Sequence, residues 1–126
     1  RGRKKMLTVL EENKFLGLAS DQNAGKRGIN IPFFNVPASI PKGGALFHLK
    51  TGMPIIVGFC ILSSDFKYNL TLRIMDTSHI SNDKTQAIIE INTQFSKILE
   101  NQVKLFPEQY FWYHRKWPLE HYGKKS

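Results

Sequence analysis

The chain predicts an α/β fold, a mixed and mainly parallel sheet flanked by helices. Three observations carry this prediction. Segments with helical periodicity alternate with apolar stretches of strand length, in the order helix, strand, helix, strand, strand, helix. The stretch at 54–62, PIIVGFCIL, is apolar on both faces, as a central strand covered on both sides should be. A helix followed by a short apolar run at the start of the chain has the makings of half a parallel α/β unit.

Taken in order, residues 4–13 place Met6, Leu7, Val9 and Leu10 at helical spacing, and Asn13 follows as a C-terminal stop. Residues 15–20, FLGLAS, form a short apolar strand that runs into a loop at Asp21. Residues 29–34 hold a short extended piece before Pro37. Pro41 then sits at the first turn of a helix over 42–50, which Gly52 stops. After the strand at 54–62, residues 63–67 turn the chain. Residues 68–75 alternate, with Tyr68, Leu70, Leu72 and Ile74 on one face and Asn69, Thr71 and Arg73 on the other. This predicts a half-buried strand antiparallel to its predecessor. Asn69-Leu70-Thr71 matches a glycosylation sequon, but nothing else points to secretion.

A polar link over 76–82 leads to the longest helix. Asp83 and Gln86 form a capping pair, and Ile88, Ile91, Phe95, Ile98 and Leu99 mark its apolar stripe, which ends before Pro107. Residues 110–117 pack five aromatics beside Arg115 and Lys116. Two readings stand for this run. Stacked rings next to cations suit nucleotide bases. Alternatively, Tyr110, Trp112 and His114 face one way and Phe111, Tyr113 and Arg115 the other, as in a last buried strand with a basic end. The absence of a nucleic-acid fold signature favours the strand.

The most irregular stretch, 21–54, contains five of the nine glycines, at 25, 28, 43, 44 and 52, and two basic clusters around Phe33 and Phe34. Such density of Gly and Pro fixes an irregular backbone, on which sites are often built. Lys26, Arg27 and Lys42 beside exposed amides suit an anion; the alternative is an ordered loop with solvated charges. Gly43 and Gly44 opening a helix could offer amides to a phosphate or simply allow close packing.

At 126 residues the chain suits one domain with a usable core, and 41% hydrophobic and 12% aromatic residues mark it as globular. No run approaches the roughly 18–20 apolar residues of a membrane span. Its single cysteine, Cys60, excludes a disulfide framework and weakly fits a reducing compartment. The net charge of +8 points to a polyanion: nucleic acid, an anionic membrane surface or a phosphorylated substrate. Much of it lies in terminal clusters, Arg1, Arg3, Lys4 and Lys5 at one end and Arg115, Lys116, Lys124 and Lys125 at the other. No metal-ligand spacing, GxSxG elbow or GxxxxGK[ST] loop occurs, so neither a metal nor a cofactor is expected. The chain opens at Arg1 without an initiator Met and is read as a fragment.

Three blocks, DQNAGKRGINIPFF, PASIPKGGALFHLKTGMPI and PEQYFWYHRKW, the last after a helix containing Asn92, resemble the bacterial lipid A biosynthesis acyltransferases. The resemblance runs from Leu7 to Trp117, and its most specific piece is the ending PEQ-x-x-W-x-H-R-[KR]-[WF]. It implies a glycerolipid-acyltransferase-like α/β core, here the C-terminal portion (residues 1–126) of a single, incomplete domain. It further implies transfer of a fatty acyl chain from acyl carrier protein to a hydroxyl of a phosphorylated glycolipid, at the cytoplasmic face of the inner membrane. The family's catalytic His-x4-Asp/Glu dyad lies upstream of the matched region. Five positions after His48, His79, His114 and His121 stand Met53, Lys84, Leu119 and Ser126, so no dyad is present and no catalytic residue is assigned.

The resemblance places Asp21 at the acceptor site, where it would orient a catalytic group or a sugar hydroxyl. Lys26, Arg27 and Lys42 would answer the lipid's phosphates. Arg115 would contact substrate or pin the final strand through a buried ion pair, with Glu108 as its partner. Phe33, Phe34 and Trp112 would line the core or an acyl channel. Asn35 and Ser20 depart from the family's Gly and Pro. The sequence also admits a stand-alone basic domain binding anionic lipid or nucleic acid, or an acyltransferase for another glycolipid. The resemblance disfavours a nucleic-acid partner, and an unpaired sheet edge would favour a homo-oligomer.

Overall fold

The computed structural model describes residues 2–123, without the side chain of Arg3; the outermost members of the two terminal basic clusters lie outside the described residues. Three helices and four strands follow one another: α1 (Gly2–Glu11), β1 (Ile29–Phe33), β2 (Val36–Ile40), α2 (Gly43–Thr51), β3 (Ile56–Leu62), β4 (Tyr68–Ile74) and α3 (Lys84–Leu105). Single 3-10 turns occupy Gly25–Arg27, Pro107–Gln109 and Leu119–Tyr122.

The strands form two separate antiparallel hairpins, β1–β2 and β3–β4, and this overturns the expected mainly parallel sheet. Two of the strands that the expectation needed are not strands. Residues 15–20 belong to no helix or strand and pair with nothing among the described residues, and Phe15 is 91% exposed. A strand is defined by its neighbour's hydrogen bonds, and an apolar run alone cannot supply them. Residues 110–117 coil instead of extending, because their polar atoms bond locally. Trp112 Nε1 donates to the Pro107 carbonyl at 2.7 Å, and His114 Nδ1 to that of Phe111 at 2.6 Å. The rings then pack on one another, Tyr110 edge-on to Trp112 with centroids 4.8 Å apart.

α3 is the spine. Asp83 caps it as the sequence predicts, its side chain accepting from the Gln86 amide at 2.8 Å. Ala87, Ile91, Ser96, Leu99 and Val103 form its buried face. On one part of that face Ile31, Phe33, Ala38 and Ile40 of the first hairpin pack on Leu99 and Val103. On another, Ala45 of α2, Val57 of β3 and Met75 surround Ile91, and Phe59 and Phe95 touch both clusters.

The β1–β2 hairpin turns through Phe34 and Asn35, at φ 51° and 62°. Two consecutive residues at positive φ make a two-residue turn whose twist matches the strands. The register sets Phe33 opposite Val36 and Pro32 opposite Pro37. Alternation then leaves the proline pair at a position where neither residue needs an amide to bond across. α3 holds the hairpin tip with polar bonds: Ser96 Oγ donates to the Pro32 carbonyl at 2.7 Å, and Glu100 Oε1 accepts from the Phe34 amide at 2.7 Å.

The β3–β4 hairpin has the antiparallel pairing the sequence predicts, but not the predicted burial. β3 is not central: its only strand partner among the described residues is β4. It turns Val57, Phe59 and Ile61 inward and leaves Ile56, Gly58, Cys60 and Leu62 exposed. Every residue of β4 is exposed, including the Tyr68, Leu70, Leu72, Ile74 face expected to be inside.

Candidate functional site

A cleft of about 460 Å³ is lined by the segment at 16–21 and by strand β3. Leu16 and Leu18 form one bank, Val57 and Phe59 the other, and Ile91, Asn92 and Phe95 of α3 contribute to the lining. Asp21, His48 and Tyr110 are among the polar residues in this mostly aliphatic and aromatic wall. His48 Nδ1 donates to the Met53 carbonyl at 2.7 Å, fixing the ring across the turn from α2 to β3. Asn92 Nδ2 donates to the Ile88 carbonyl at 2.8 Å in its own helix. Among the described residues the one histidine–carboxylate contact is between adjacent His121 and Glu120 at 3.9 Å.

Asp21 is the best anchored of these polar groups. Its backbone carbonyl accepts from Tyr110 Oη at 3.0 Å and from Lys116 Nζ at 2.5 Å. Two residues on, Asn23 Nδ2 donates to the carbonyls of Arg115 and Lys116 at 2.9 and 3.2 Å. The loop that opens at Asp21 is therefore tied to the C-terminal aromatic segment by four bonds from both sides. The half-buried Asp21 carboxylate is left at the cleft.

Lys116 makes this tie and the sequence reading did not single it out. It is 1% exposed, and its ammonium lies 5.0 Å from the centroid of the Phe33 ring. Burial pushes its pKa down from 10.5 to about 8, and the Asp21 charge opposes that fall. Burial likewise pushes the Tyr110 phenol up, with the Asp21 charge adding to the effect. A lysine inside a basic, aromatic run looks like one more solvated cation; only the fold reveals that it turns inward.

The other site residues lie around the cleft rather than in it. Lys42 is the N-terminal flanking residue of α2, between Pro41 and the helix, and Pro41 and Gly44 line the cleft. A Cβ on Gly43 would meet Leu18 at an ordinary 3.7 Å and one on Gly44 would meet nothing, so close packing does not demand either glycine. Lys26 and Arg27 are exposed on the 3-10 turn that follows Asp21. That turn is held by Ser39 Oγ donating to the Gly25 carbonyl at 2.7 Å. Arg115 is exposed and forms no ion pair with Glu108 among the described residues, which corrects the expected buried pair. With no final strand to pin, its held group is the backbone carbonyl. Phe33 is core, Phe34 sits at the hairpin turn and Trp112 is 45% exposed; none of the three lines the cleft.

Among the described residues no three His, Cys, Asp or Glu side chains cluster to hold a metal ion, and no helix is long and apolar enough to cross a membrane. A mostly apolar cleft that Asp21 lines, with cations on the flanking loops, has the character of a site for a ligand with an apolar part and a polar or anionic head. Residues 1–118 match the family described as bacterial lipid A biosynthesis acyltransferase, and the chain belongs to that family. It is similar to the lipid A biosynthesis palmitoleoyltransferase of Escherichia coli (strain K12), with 24% identity over 120 residues. It is equally similar to a lipid A biosynthesis acyltransferase of Shigella flexneri. The match covers 94% of this chain but 38% of each relative, so the chain spans little more than a third of their length.

Proposed function

We propose that this chain forms the acceptor side of an enzyme that moves a fatty acyl group from acyl carrier protein to a hydroxyl of a phosphorylated lipid A precursor. Family membership supports the reaction class, and the relatives' names support the acceptor. The observation that carries the reading is the cleft, lined by Asp21, whose backbone carbonyl Tyr110 and Lys116 hold while Asn23 ties the same loop to the Arg115 and Lys116 carbonyls.

In this reading the apolar walls take apolar chain, and the Asp21 carboxylate accepts a hydrogen bond from a sugar hydroxyl and orients it. Lys26, Arg27 and Lys42 neutralise phosphates, Arg27 as a two-pronged donor and the lysines as point charges. A general base is still required to take the hydroxyl proton as its oxygen attacks the thioester carbon and the carrier's thiol leaves. The resemblance puts that base, a histidine paired with a carboxylate, in a part of the enzyme outside these residues. Acyl carrier protein and an anionic inner-membrane surface are the partners this reading calls for, and the net charge of +8 suits both.

The test is acyl transfer by the protein made from its natural reading frame, with acyl carrier protein charged with a fatty acid and a diphosphorylated disaccharide lipid. An ester-linked product supports the reading, and an Asp21→Asn variant should lower turnover by roughly tenfold to a hundredfold. No product with any acyl chain length would count against it.

A further inference from the structure

Lys116 is the one buried charged side chain among the described residues, and the reaction as written above does not use it. It has no carboxylate partner: none of the ion pairs among the described residues includes it. Its ammonium instead meets the Asp21 carbonyl at 2.5 Å and lies over the Phe33 ring, 5.0 Å from the centroid. Burying an ammonium against neutral groups costs stability, and an uncharged donor could make the same bond with less loss of solvation. Perturbed, buried charges of this kind cluster at functional sites.

The place that Lys116 holds is Asp21. Tyr110 Oη donates to the same carbonyl at 3.0 Å, so that oxygen accepts two bonds, one for each lone pair. A carbonyl held from two sides fixes the peptide plane that follows Asp21, and the carboxylate keeps only its two side-chain torsions. The clamp is reciprocal. Asn23 Nδ2 donates back to the carbonyls of Arg115 and Lys116, while Asn23 Oδ1 accepts from the Gly25 amide at 2.7 Å. Asp21 and Tyr110 line the cleft, whereas Lys116 does not. It stands behind Asp21 and acts through it.

We propose that Lys116 is a positioning residue for acyl transfer, its buried ammonium holding the Asp21 main chain so that the carboxylate meets the acceptor hydroxyl. This rests on the function proposed above. Holding matters because a misplacement of about 1 Å can slow a reaction by about a hundredfold. The charge matters as well as the bond, since a charged donor binds a carbonyl roughly twice as strongly as a neutral one. Burial brings the Lys116 pKa down to about 8, so mildly alkaline solution weakens the clamp. Two titratable groups face the ammonium. The Asp21 charge opposes the fall, and the Tyr110 phenol stays protonated because burial and Asp21 push its pKa up; β1 contributes the uncharged Phe33 ring.

The test uses protein from the natural reading frame: wild type, Lys116→Met, Lys116→Arg, Asp21→Asn, and Lys116→Met combined with Asp21→Asn. Steady-state transfer from charged acyl carrier protein to a diphosphorylated disaccharide lipid is measured from pH 7 to 9, and helical circular dichroism shows which variants are folded. At pH 7 Lys116→Met should lower kcat by about tenfold and leave the lipid KM within about threefold. In the Asp21→Asn background it should slow kcat by no more than about a further twofold, because residues that act as a unit are not additive. Arginine keeps a cation that does not titrate in this range, so the rate of Lys116→Arg relative to wild type should rise by about threefold or more between pH 7 and 9. Wild-type kcat in Lys116→Met overturns the positioning role and leaves the function standing. A loss that multiplies with that of Asp21→Asn also overturns it, since the effect then arises elsewhere in the fold. So does a flat ratio of Lys116→Arg to wild type, since the ammonium is then not the holding group. Should Lys116→Met fail to fold, that ratio decides alone. No product from the wild type would refute the function, and the role with it.

Discussion

Replacing Lys116 with Met removes a cation that the fold holds at a cost. The wild-type pKa falls from 10.5 to about 8 through burial, a difference of about 2.5 units, and each unit is worth about 1.4 kcal/mol. The ceiling on the pH-dependent effect is therefore about 3 kcal/mol. Its sign follows from proton counts. Below pH 8 folded and unfolded chains both carry the ammonium, and the burial cost is fully present. Between pH 8 and 10.5 the unfolded chain holds more protons than the folded one, so wild-type stability rises with pH relative to the variant. Above 10.5 neither form is charged and the cost is gone. At neutral pH the variant also loses the bond to the Asp21 carbonyl and the contact with Phe33, together about 2–4 kcal/mol. The two effects nearly cancel there, so the informative quantity is the slope. Urea unfolding followed by tryptophan fluorescence, from pH 7 to 10.5, should show the wild type gaining up to about 3 kcal/mol on Lys116→Met. A difference between the two proteins that stays flat across that window would refute the buried-lysine argument.

Other outcomes follow from single contacts. Gly28→Ala should destabilise the fold by about 1–3 kcal/mol in thermal unfolding, since a Cβ there would lie 2.1 Å from Ser39 Oγ and 2.8 Å from the Ile40 carbonyl oxygen. Asp83→Ala should cost about 1 kcal/mol by loss of the bond to the Gln86 amide, measured by urea denaturation. Paired Lys26→Ala and Arg27→Ala changes should weaken binding of a phosphorylated disaccharide lipid by roughly tenfold or more in low salt, and leave a dephosphorylated analogue unaffected in isothermal titration.

The helices and the second hairpin were legible because their signals are local. The Asp83–Gln86 cap, the 3.6-residue stripe of α3 and the Gly52 stop of α2, at φ 71°, all act within a few residues. The first hairpin was half seen. Its turn uses positive φ at Phe34, a residue type that carries no turn signal beside Asn35, and Pro37 looked like a break rather than a paired strand position. The parallel sheet was an inference about neighbours. Apolar runs at 15–20 and 54–62 state that something should cover them, not what does. At the site, the blocks around Asp21 identified the family, but the inward turn of Lys116 and the reach of Asn23 across more than ninety residues depend on tertiary contacts that no spacing encodes.

The account rests on Asp21 holding an acceptor hydroxyl at the mouth of the cleft. The most direct test is single-turnover acyl transfer by the natural protein, comparing wild type with Asp21→Asn and using mass spectrometry to count acyl groups on a diphosphorylated disaccharide lipid. The account predicts one added ester-linked chain for the wild type and a chemical step slowed by roughly tenfold or more in the variant, with its lipid affinity retained. An Asp21→Asn enzyme as fast as wild type would contradict it.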